Sequence, residues 1–128
     1  HDWGGASPVR AVLPVSGIFD LDPLRHTSIN EPLGLDEAGA RAVSPMSDPP
    51  IPAATRVMLV VGAMESPEFK RQSAAYAAYL EAGHGALAVQ EAPGDNHLTV
   101  LKGLYLAEGA LFEALIAFIA AANKTTST

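Results

Sequence analysis

Glu65 and His97 are the two side chains in this sequence whose types and placement could do acid–base chemistry together. A carboxylate that accepts from one imidazole N–H fixes the tautomer of a general base and stabilises its protonated form, which is what activating a nucleophile requires. They stand 32 positions apart, so the fold must bring them together. On position alone, Glu65 also fits a surface carboxylate favouring the positive end of a helix dipole, and His97 a solvated loop histidine. The other histidines are less telling. His1 is terminal, His84 lies in a Gly-flanked turn, and His26 sits in a long excursion where a structural or pocket-lining role is open. The four make no metal-ligand spacing, and neither a metal nor a cofactor is expected.

The elements that would position the pair begin with residues 57–61, a short apolar run rich in β-branched side chains between Pro52 and Gly62. It reads as a strand buried on both faces. Ser66 as N-cap, Pro67 with its pre-set φ and Glu68 in the first turn predict a helix over 67–82, with Phe69, Tyr76, Ala77 and Leu80 on its apolar stripe and Gly83 as its stop. Glu65 then falls on the loop at the strand's carboxyl end, the edge where open α/β sheets put their chemistry. Residues 86–91 read as a further strand, and the loop Pro93-Gly94-Asp95-Asn96 carries His97. If the strands are parallel, both loops open on the same edge.

Residues 9–15 are the first strand candidate, weakened by Pro14, which cannot donate to a ladder and is expected at the strand's end or on a side without a partner. The turn after it, SGIFDLDPL, carries Ser16 and Phe19. Between 25 and 54 periodicity is lost and Pro32, Pro45, Pro49, Pro50 and Pro52 accumulate around one predicted helix, 36–43; long irregular segments of this kind are commonly lids or linkers. A short helix over 98–104 and a longer one over 107–122, packed through Leu111, Phe112, Leu115, Ile116 and Ile119, precede a polar tail expected to fray. The expected class is α/β, with about three parallel strands and flanking helices.

Composition narrows the function classes. The 128 residues suit one domain. A net charge of -6 with only eight Lys and Arg argues against nucleic acid as a partner, and no apolar run is long enough to span a bilayer. There is no cysteine, which excludes thiolate chemistry and disulfides. No charged and apolar leader pattern is present, so a cytoplasmic location is expected, while a start at His1 hints at a partial chain.

The segments SGIFDLDPL, GLDEAGARAVSP, ESPEFKRQS and DNHLTVL, in this order and at these intervals, resemble the C-terminal half of α/β-hydrolases of the carboxylesterase and kynurenine formamidase (arylformamidase) type. The resemblance implies a partial α/β-hydrolase fold, with Glu65 as triad acid, where many relatives carry Asp, and His97 as base. It also implies a small-molecule ester or formamide substrate, with Ser16 and Phe19 lining its pocket. Hydrolases of this type need a G-x-S-x-G elbow for the nucleophile and an HGG-type loop for the oxyanion, and neither string occurs here. Ser16 lacks the glycines of an elbow, with Pro14 and Ile18 standing two residues to either side, and, in the resemblance, follows the nucleophile. The 9–15 edge would then be left to pair with the N-terminal half of the hydrolase or with a second copy, and the chain alone would be inactive. A non-catalytic α/β binding or assembly module is the alternative.

Overall fold

The computed structural model describes residues 8–81 and 87–124. The expected lead-in loop through residue 7, the Gly83 stop, His84, Ala86 and the tail from residue 125 lie outside the described residues. The described chain forms a three-stranded parallel sheet in the order β1 (Ala11–Val12), β2 (Arg56–Gly62), β3 (Leu87–Ala92). Between β1 and β2 lie α1 (Asn30–Leu33) and α2 (Glu37–Ala42). Helix α3 (Pro67–Glu81) crosses from β2 to β3, and α4 (Lys102–Leu106) and α5 (Gly109–Lys124) follow. Among the described residues no helix is long and apolar enough to cross a membrane.

β2 is the central strand because its side chains are apolar on both sides of the pleat. Val57 and Leu59 pack with Phe19, Tyr76 and Leu80 beneath α3, while Met58 and Val60 pack with Val100, Leu111 and Phe118 beneath α5. Val57, Leu59 and Val60 have no exposed surface. β2 and β3 are in continuous register from Val57↔Leu87 to Gly62↔Ala92.

β1 is shorter than the predicted 9–15 strand, and the reason is Pro14. Its carbonyl accepts the Val60 N–H at 2.9 Å, so the residue lies against β2 just past the strand's end, the first of the two places expected for it, and has no N–H to return. The ladder breaks there and resumes as an isolated Val15↔Val60 bridge, with the Ser16 N–H donating to the Val60 carbonyl at 2.7 Å.

The 25–54 segment holds more regular structure than the single predicted helix. Besides α2, capped by the Asp36 carboxylate on the Gly39 N–H, it contains α1 and a 3-10 turn at Pro45–Ser47, and another 3-10 turn, Asp22–His26, leads into it. It is tied down by the Met46 N–H on the Phe19 carbonyl, the Leu21 N–H on Ser44 Oγ, and the Tyr79 hydroxyl on the Asp48 carbonyl.

Two expectations near the C-terminus are corrected. The apolar run from Leu98 does not open a helix. Asn96 Oδ1 accepts the Leu98 and Thr99 N–H groups, a tight turn follows, and α4 begins only at Lys102. In α5 the buried residues are Leu111, Phe118 and Ala122, whereas Ile116 and Ile119 are 50% and 44% exposed.

Candidate active site

Because all three strands are parallel, their carboxyl ends share one edge, and each delivers one polar side chain: Ser16 after β1, Glu65 after β2, His97 after β3. The turn from β2 to α3 is stitched to the loop after β3. The Ala63 N–H donates to the Ala92 carbonyl at 2.9 Å and the Met64 N–H to the Asp95 carbonyl at 2.8 Å. Gly62 makes this approach possible: a β-carbon there would sit 2.9 Å from the Asp95 carbonyl carbon and closer still to its oxygen. Ser66 takes the N-cap position of α3, its carbonyl accepting the Lys70 N–H at 3.3 Å.

The Glu65 side chain is fully buried and spends both oxygens. Oε1 lies 2.8 Å from His97 Nδ1. Oε2 accepts from Ser16 Oγ at 2.5 Å and from the Gly62 N–H at 2.6 Å. The longer reach of Glu relative to Asp is therefore accommodated. His97 is about half exposed at 54%, and the Phe69 ring stacks on its imidazole with centroids 4.5 Å apart. With Nδ1 held by a carboxylate, Nε2 is the nitrogen left to exchange a proton with a third group.

Burial pushes the Glu65 carboxyl up, but the hydrogen bonds from Ser16, the Gly62 N–H and His97 outweigh it, so the group titrates below its ordinary 4.5. Between the two values the unfolded chain binds the proton that the folded chain refuses, and stability rises with pH. The Glu65 contribution is therefore complete above 4.5 and is lost as pH falls through the folded value. Glu68, held at about 2 by Arg71 and Gln72, acts in the same sense. Comparison with Glu65→Gln isolates the one carboxylate: urea midpoints measured from pH 6 downwards are expected to fall less steeply for the variant below about pH 4.5, and parallel curves would count against the assignment.

Of the residues singled out in the sequence, the structure brings Glu65, His97 and Ser16 together. Phe19 is elsewhere. It curls back over Gly17, where a β-carbon would meet its ring at 2.5 Å, and is 6% exposed in the core, stacked on Tyr76 with centroids 4.1 Å apart. His26 lies exposed at the end of its 3-10 turn. Sequence reasoning missed three contributors. Gly62 supplies an N–H to the carboxylate, Phe69 faces the imidazole, and Gln72 fixes the turn after β1 by accepting the Phe19 and Asp20 N–H groups at 3.0 Å each. Phe69 had a signal, four residues after Glu65 on the stripe of α3; the other two had none. Ser16 carries a further mark, a φ of 49°, which for a residue other than glycine costs roughly 1 kcal/mol or more.

No family model matches the chain. Among curated proteins it is similar to the kynurenine formamidases of Salmo salar and Danio rerio. Identity is 31% over 111 and 110 residues, covering 80% of this chain and 38% of each relative. The chain thus spans less than half the length of the curated relatives it matches. Among solved structures it superposes on a candidate thioesterase from a Silicibacter species with a TM-score of 0.66 and 31% identity, over 81% of this chain and 37% of that one. It also superposes on Thermogutta terrifontis esterase 2, a structure phosphoramylated by tabun, with a TM-score of 0.51 and 18% identity, over 85% and 42%. Three parallel strands with flanking helices on these templates make a partial α/β-hydrolase fold, and the partial coverage is consistent with the C-terminal half that the sequence resembles.

Proposed function

We propose that this chain is the acid- and base-bearing portion of a serine hydrolase that cleaves carboxylic esters or aryl formamides. One observation carries the reading: a fully buried carboxylate 2.8 Å from His97 Nδ1, on the edge where parallel strands end. His97 Nε2 takes the proton from a serine hydroxyl as that oxygen attacks the acyl carbon, then returns it to the departing alcohol or amine, while Glu65 holds the ring and stabilises its charged form. The names of the relatives support a formamide, and the esterase fold supports an ester. The turn at Ser16 and the segment 24–47 shape the acyl or leaving-group pocket, with Phe19 as buried backing.

The 128 residues contain neither a G-x-S-x-G nor an HGG string, so the serine and the oxyanion donors come from other chain. β1, an edge strand, is where an N-terminal half would add its strand; self-pairing of two copies is the competing use of the same edge. Met64 and Leu98, 70% and 89% exposed and adjacent in sequence to Glu65 and His97, add apolar surface for that half or for an acyl group to cover.

A p-nitrophenyl acyl ester tests this directly. The chain alone is expected to turn it over no faster than buffer and to take no fluorophosphonate label, and mixing with a fragment that carries the elbow is expected to restore both. Turnover at esterase rates by the chain alone would overturn the need for a partner. Failure of every elbow-bearing fragment to be activated would favour a non-catalytic binding module.

A further inference from the structure

We infer that Ser16 is a positioning residue: its hydroxyl, presented from a left-handed backbone turn, acts with the Gly62 N–H to hold the Glu65 oxygen that His97 does not use. The inference rests on Glu65 being the acid of the pair, and it gives Ser16 a role other than substrate contact. The two carboxylate oxygens are divided. Oε2 takes Ser16 Oγ at 2.5 Å and the Gly62 N–H at 2.6 Å, while Oε1 alone meets His97 Nδ1 at 2.8 Å. With 0% of its side chain exposed, Glu65 has no solvent shell to replace a lost donor, so each donor is felt in full.

The backbone at Ser16 points the same way. A φ of 49° is a conformation glycine adopts freely and serine rarely, so the turn itself gives serine no advantage. What serine has and glycine lacks is the hydroxyl. Its position is fixed from both sides of the turn: the Ser16 N–H is bonded to the Val60 carbonyl at 2.7 Å, and three residues later the chain is clamped by Gln72. Among the described residues the groups facing the carboxylate are the Ser16 hydroxyl, the Gly62 N–H and His97, and of these His97 is the titratable one.

The test is Ser16→Gly in the 128-residue chain, read by the titration of the Glu65 carboxyl carbon in NMR. Glycine relieves the left-handed turn and removes the donor, so the two roles for this position predict different outcomes. A purely structural role gives an unchanged midpoint and a more stable protein. A positioning role raises the midpoint by roughly one pH unit, the consequence of losing a hydrogen bond to a charged group. An unchanged midpoint overturns the inference. If the variant does not fold, the unsubstituted chain decides: the Ser16 hydroxyl proton is expected as a slowly exchanging resonance that vanishes when Glu65 is protonated, and its absence at neutral pH overturns the inference equally. Neither readout needs turnover. Their failure alongside intact His97-dependent activity removes the role of Ser16 and leaves the hydrolase reading standing; their success alongside inactivity in every complemented mixture removes only the hydrolase reading.

Discussion

His97→Ala is expected to lower ester or formamide turnover by roughly five to six orders of magnitude in the complex between this chain and an elbow-bearing fragment. The size follows from what the imidazole does. Without it the serine attacks as a neutral hydroxyl and the leaving group departs unprotonated, and only binding and oxyanion stabilisation remain, supplied by the other fragment. Glu65→Gln is expected to lower turnover less, by roughly four orders, because an amide in place of the carboxylate neither fixes the tautomer through Nδ1 nor stabilises the imidazolium. Since the two act as one unit, the double variant should fall no further than His97→Ala. The measurement is kcat on the complemented mixture at saturating fragment, with affinity between fragments followed separately so that lost assembly is not mistaken for lost chemistry. A His97→Ala complex within tenfold of the parent would end the acid–base assignment.

The second large effect concerns the sheet that aligns these loops. Leu59 is completely buried at the centre of β2, against Tyr76 and Leu80 of α3, and Leu59→Ala removes its outer carbons from a site that the surrounding strands keep from collapsing. A loss of about 2–5 kcal/mol is expected in denaturant unfolding, a large part of the total stability of a domain this size. Ile116→Ser serves as contrast. At 50% exposure on the outer face of α5 it should change the stability of the chain by no more than about 0.5 kcal/mol. If both substitutions cost the same, the layering described here is wrong.

β2 and α3 were legible because several local signals agreed. A β-branched run, a glycine at its end and Ser-Pro-Glu at the helix start all point to one boundary, and the structure puts α3 at Pro67–Glu81. α2 was expected over 36–43 and forms at Glu37–Ala42, with the Asp36 carboxylate capping it. α5 was legible as a helix but not in its orientation. Apart from Glu113, its first fourteen residues are uncharged and mostly apolar, so no polar face marks the outside, and only tertiary packing selects Leu111, Phe118 and Ala122. The start of α4 was hidden because Asn96 satisfies the next two N–H groups in a turn that an apolar run does not announce. At the site, loop position brought Glu65 and His97 to one edge, but on position alone they also fitted a surface carboxylate and a solvated histidine, and the resemblance to a known family singled them out. The bond from Ser16 was not legible, for it joins residues 49 apart, and its register depends on where the ladder resumes after Pro14.

The close passage of the Asp95 backbone over Gly62 leaves this position no neighbours in sequence space, since every other amino acid carries a β-carbon. Any substitution there must push the Asp95 backbone away, and with it the loop that carries His97 away from the loop that carries Glu65. On the function proposed above, substrate preference is then free to change through the segment 24–47, which takes no part in this crossing.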